Sequence, residues 1–158
     1  MPLFDIMGQL IRPLGERLKS DVRFGAGGIH VFYDRVDDEI VEQRLMPAVN
    51  YFLQSDWEDV ARGSNTATLN TRKLIVLVGF GLWSFALDKE KLDEALFLMA
   101  GNLIDFLRES TDFDRRTGVA VVGPIRWTPV AAFGEDNNMV GTQRVIATLE
   151  LWSRAGVG

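Results

Sequence analysis

The chain has 158 residues, 47% of them hydrophobic, with four Trp and ten Phe, which suffices for one domain with a sizeable core and excludes disorder throughout. Seventeen basic residues against 22 acidic ones leave a formal charge of -5, which weighs against a duplex-wide grip on phosphates. Cys is absent and His30 is the single His, so disulfides, zinc–thiolate sites, iron–sulfur ligation and multi-imidazole metal sites are excluded, and no cofactor is implied.

The first residues lack the basic start, apolar stretch and small-residue cleavage site of a signal peptide, which points to a product made in the cytoplasm. In residues 2–20, Ile6, Leu10, Leu14 and Leu18 recur every fourth position, the stripe of an amphipathic helix. Pro13 should kink that helix or begin a second one. FGAGG at 24–28 reads as a turn, and residues 29–33 read as a strand with His30 and Phe32 on one face. The acidic run Asp34, Asp37, Asp38 and Glu39 follows as a solvated turn. Residues 45–53 form a second strand candidate with Pro47 at its start or edge.

Residues 61–71 (ARGSNTATLNT) are small and polar, a candidate mobile arm or hairpin tip. A long strand is expected over 72–87. Its apolar run is short and interrupted by Gly79, Gly81 and Ser84, which suits a sheet and not a bilayer. Asp88 is a good N-cap for the clearest helix in the chain. There Leu92, Ala95, Leu96, Met99, Leu103, Phe106 and Leu107 fall at three- and four-residue spacing. Residues 119–130, split by Gly123, Pro124 and Pro129, predict a bulged or edge strand. FGEDNN at 133–138 predicts a hairpin loop, and 139–152 a clean strand with Val145, Ala147, Leu149 and Leu151 alternating. Residues 154–158 read as a flexible tail. The order predicts a single α+β domain over 1–158, a mixed or antiparallel sheet with helices packed on one face.

Catalytic constellations are scarce. His30 sits inside a strand with no Ser or Cys partner in sight, and a packed or surface histidine is the simpler account. FGAGG lacks the lysine and hydroxyl of a phosphate loop. A metal-dependent nuclease could combine Asp34 or Asp38 with Asp56 and Lys73, although solvated acidic turns explain the same carboxylates. Arg72, Lys73, Arg115, Arg116, Arg126 and Arg144 lie near Trp83, Trp127 and Trp152 in the sequence. They could build a stacking groove for single strands or form an ordinary sheet surface. The more telling feature is surplus apolar character on both faces of 74–87 and on the second face of 139–152. A small domain with few helices covers such faces only by sandwiching its sheet or by meeting another chain.

The segments MGQLIRPLGERLKS, TRKLIVLVGFGLWSF, DEALFLMAGNLIDFLRE and the closing RVIATLELWS, in that order, resemble the small tail terminator proteins of long-tailed bacteriophages, also called tail completion or minor tail proteins. The resemblance covers most of the chain and rests on architecture, since that family carries no catalytic motif. It implies a structural virion protein with no enzymatic activity, assembled in the host cytoplasm and placed at the tail–neck junction. It further implies a hexameric homo-oligomer capping the tail tube protein and offering a platform to the head–tail connector or stopper protein. DNA would pass through such a ring without sequence-specific binding, with no membrane involved.

On this reading Arg72, Trp83, Trp127, Arg144 and Trp152 are candidate subunit or tube contacts. Glu135, Asp136 and residues 61–71 would face a neighbour or the tail, and Asp37 and Asp38 would line the channel. The alternatives are another connector or stopper ring protein, the nuclease described above, or a monomeric adaptor with an apolar groove.

Overall fold

The computed structural model describes residues 4–54, 58–60, 73–109, 119–121, 123–135 and 137–152. The N-terminal helical segment opens on a reciprocal cap. The Gly8 amide donates to Asp5 Oδ1 at 3.0 Å, and the Asp5 amide donates to Gln9 Oε1 at 2.7 Å. Its first turn, Met7–Ile11, is a wide π-type turn running into helix α1, Arg12–Ser20. Pro13 explains the change of pitch, because it lacks an amide proton and its ring crowds the carbonyl four residues earlier. The FGAGG segment forms a single tight 3-10 turn at Gly25–Gly27, closed by Gly28 at φ 92°, where only a residue without Cβ is unstrained.

Strand β1, His30–Tyr33, is followed by a short helix α2, Asp37–Glu42, and strand β2, Ala48–Leu53, which pairs parallel with β1. Then come β3 (Glu58–Val60), the long β4 (Lys73–Ala86) and helix α3 (Lys89–Glu109). The chain ends on β5 (Val119–Val121), β6 (Arg126–Trp127), β7 (Ala131–Glu135) and the 15-residue β8 (Asn138–Trp152). All strands join one mixed sheet, with β1 beside β2, then β4, then β8. β2 and β3 share one flank of β4, while β5, β6 and β7 follow one another along the far flank of β8. The molecule is α+β, and β4 and β8 form its spine through fourteen antiparallel residue pairs, Lys73↔Trp152 to Ala86↔Met139.

The period-two pattern decides the faces. Leu74, Val76, Val78, Phe80 and Leu82 of β4 meet Val145, Ala147, Leu149 and Leu151 of β8 on one face, all 4% exposed or less. The N-terminal π turn and helices α1 and α3 cover that face, contributing Leu10, Leu14, Leu18, Leu92, Leu96, Leu103 and Phe106 to one core. Each fully buried Leu is worth roughly 1.5–3 kcal/mol, so the α3 stripe is the largest local contribution to docking. Asp88 starts α3 as expected, its Oδ1 accepting the Lys91 amide at 2.9 Å.

Three details depart from the sequence reading. The acidic turn is in part helix α2, which packs Ile40 with Met46, Ala48 and Trp83 in a second, smaller cluster on the opposite face of the sheet. Helices therefore cover one face extensively and the other at one end. The hairpin loop expected over 133–138 is strand at both ends, because β7 runs to Glu135 and β8 begins at Asn138, with Asn137 before it at φ 76°. Strand β3, Glu58–Val60, arises in residues for which the sequence suggested no element. Residues 61–71 and 154–158 lie outside the described residues.

Candidate functional site

The face of the sheet turned away from α1 and α3 is the candidate surface. Its β4 positions are Ile75, Leu77, Gly79, Gly81, Trp83 and Phe85, and opposite them on β8 stand Glu150, Thr148, Ile146, Arg144, Thr142 and Val140. At one end α2 closes over Trp83. Beyond it no helix among the described residues covers the face, and Ile75, Leu77 and Ile146 are half-buried.

The middle of this face is built on close approach. Phe52 of β2 lies directly over Gly79, where an added Cβ would stand 2.6 Å from the ring. The Arg144 guanidinium, placed by its pairing opposite Gly81, lies 5.2 Å from the Phe52 centroid, a cation–π distance. Two glycines thus make room for an aromatic ring and the ring seats a cation. Asn50, 3% exposed, accepts the Arg35 amide at 2.9 Å and donates to the Arg35 carbonyl at 2.8 Å. This pair ties the bend after β1, where Asp34 has φ 48°.

Towards the α2 end, Trp83 meets Phe133 edge-on at 6.5 Å. Phe133 and Phe85 are 46% and 55% exposed, so aromatic surface continues from the buried Trp83 out into solvent. Beside Phe85 a groove of about 270 Å³ is lined by Val41, Arg44, Met46, Asn138 and Val140. Its lining mixes apolar side chains with the Arg44 cation and Asn138.

The residues singled out in the sequence do not gather in one place. Trp83 is 6% exposed and packs with Ile40, Met46 and Ala48, so in the single chain it is a core residue with little surface to offer. Arg144 is exposed on the open face. Trp127 is 59% exposed but pairs opposite Val145, so it belongs to the helix-covered face, at its border. Glu135 ends β7 opposite Asn138, and Trp152 ends β8 opposite Lys73. Arg72 and Asp136 lie outside the described residues.

The catalytic candidates also separate. His30 stacks on Phe32 at 5.8 Å. Glu39 pairs with Arg35 at 3.1 Å, and Asp37 and Asp38 are exposed in the first turn of α2. Among the described residues no three His, Asp or Glu side chains converge to hold a metal ion. Asp56 lies outside them. Among the described residues no helix is long and apolar enough to cross a membrane.

Two polar features belong to the helical side. The Tyr51 hydroxyl donates to the Ile11 carbonyl at 3.2 Å beneath α1, and burial raises its pKa. Arg23 bridges Asp21 at 2.9 Å and Glu109 of α3 at 3.0 Å. Its hydrogen bonds hold the Asp21 carboxyl below the usual range, and the same contacts raise the Arg23 pKa further.

Sequence reasoning missed Phe97 and Leu98, 56% and 66% exposed on α3. The signal was present, because both fall out of phase with the buried stripe. No protein-family model matches the chain, and no curated protein is recognisably similar to it.

Proposed function

We propose that this chain is a ring-forming structural protein that caps a phage tail tube, ends its polymerisation and presents a platform for head–tail joining. The observation that carries the reading is the uncovered face of the sheet. Phe85, Phe133, Phe52 and Ile146 stand there with Arg126 and Arg144, where no helix among the described residues covers them fully. Such a mixture of aromatic anchors and arginines suits a subunit contact better than a solvent surface.

The borders of the sheet support the same reading. β1, on one border, offers only four residues, and the opposite border is broken into the short β5, β6 and β7. Short, interrupted borders discourage open-ended strand addition. A ring closes when every subunit repeats one heterologous contact. Its capping action needs one ring face that matches the tube end and another that offers no seat for the next tube layer.

In this reading Arg144 and Trp127 are contact residues on two different faces, as adjoining neighbours in a ring would require. Asp37 and Asp38 on α2 would turn acidic groups toward passing DNA and let it slide. The protein works at the tail–neck junction of the virion, without enzymatic activity and without reading DNA sequence.

Native mass measurement of the purified chain, alone and mixed with tail tubes, tests this. Hexamers or decoration of tube ends are the expected result. Monomers that persist at high concentration and ignore tubes would overturn it.

A further inference from the structure

Helix α3 buries one stripe against the sheet and leaves another, regular one facing outward. Glu90, Glu94, Phe97, Gly101, Ile104 and Arg108 follow one another at spacings of four, three, four, three and four. All are exposed except the half-buried Ile104. This is the a/d spacing of a helix that packs on another helix.

Gly101 is the odd member. Gly is the poorest helix former after Pro, yet it stands well inside a 21-residue helix. Nothing among the described residues requires it, since an added Cβ would meet none of their atoms within 4 Å. A residue without a side chain, between an exposed Phe97 and a half-buried Ile104, is a hole without a knob. The knob of matching size is Phe97 itself.

From this spacing we infer that α3 pairs antiparallel with α3 of a second copy about a two-fold axis near Met99. The register is self-complementary. Phe97 fills the hole at Gly101 of the other copy and receives its partner's ring in return. Glu94 lays its methylenes on Ile104, and Glu90 meets Arg108 with opposite charge. On the flank, Leu98 meets Leu98 across the axis, and exposed Lys91 faces exposed Asp105. Two distinct ion pairs, each repeated by the symmetry, bracket an aromatic and aliphatic centre. A parallel arrangement would instead set Glu90 against Glu90 and Arg108 against Arg108. Arg108 reaches the Gly123 carbonyl at 3.5 Å within its own chain, a long contact that leaves its remaining donors for the partner.

The contact is isologous and uses the helical side of the molecule, so it does not depend on the ring reading and is compatible with it. A single helix pair falls below the roughly 1,200 Å² of a standard interface, so the association is a weak, reversible doubling of mass.

Sedimentation across a concentration series, with the charge swap as control, tests the pairing. Wild type should show a concentration-dependent doubling, and Glu90→Arg should weaken it by about tenfold or more. Adding Arg108→Glu to Glu90→Arg should restore it, which a merely structural role for either residue would not produce. Because the chain has no cysteine, Leu98→Cys gives a clean probe. A short bismaleimide should link that variant into dimers much faster than it links Val22→Cys, a control at a site 79% exposed. Absence of doubling, a swap that fails to restore it, or equal linking rates would each overturn the pairing.

Discussion

Single residues join the helices to the sheet, and their effects are separable. Gly15 of α1 faces the Tyr51 hydroxyl, where an added Cβ would stand 2.2 Å from the oxygen. Gly15→Ala is therefore expected to destabilise by about 1–3 kcal/mol through overpacking. In a Tyr51→Phe background the nearest ring atom would be 3.2 Å away, and the helix propensity of Ala, better by about 1 kcal/mol, should then show. Denaturant unfolding of the four proteins in this cycle checks the prediction, and additive losses would contradict it.

The Asp21–Arg23–Glu109 bridge gives a pH signature. The folded Asp21 carboxyl titrates below its ordinary value of 3.8. Its stabilisation is thus complete above that pH and disappears as the pH falls through the lowered value. Wild type should lose stability relative to Asp21→Asn only in that acid window. At neutral pH the variant should be weaker by about 1 kcal/mol, since the bridge is partly exposed. Thermal melts of both proteins between strongly acid and neutral pH would show whether the two curves converge.

At the scale of elements, the gap between α3's two faces is directly measurable. Gly101→Ala should raise the unfolding free energy by about 0.5–1 kcal/mol, because the position is helical, exposed and sterically open. The same change should weaken the self-association inferred for α3, which separates stability from docking. Unfolding at a dilution that holds the chain monomeric checks the first effect.

The elements differed in how openly the sequence displayed them, and the reason is length. α3 and β8 repeat their periods over 21 and 15 residues, so the buried stripes Leu92–Leu96–Leu103 and Val145–Ala147–Leu149 stand out. α2 has six residues and one fully buried side chain, Ile40, too little for a period to emerge above its acidic surface. β7 was hidden by its own composition. Gly134 at φ 103° reads as a turn, while pairing with β8 makes it a strand. The register between strands was not legible either, nor were the cover of α2 over Trp83 and the border position of Trp127, which bury the first and expose the second.

At the scale of the whole molecule, one asymmetry organises the rest. Two helices and the alternate positions of β4 and β8 make a buried core on one face, whereas among the described residues the other face has a helix at one end only. The surplus of apolar strand positions was legible in the sequence. Their division between a sealed face and an open one needed the topology. If the open face is where subunits meet, then Phe133→Glu and Phe85→Lys, both exposed in the single chain, should leave folding nearly unchanged. They should abolish ring formation as read by native mass.

Capping itself is tested most directly by following tail tube growth in the presence of the purified chain. Tube protein pre-incubated with an excess of it should stop elongating, with a ring visible at the tube end by electron microscopy. Tubes that lengthen at an unchanged rate, with bare ends, would contradict the account.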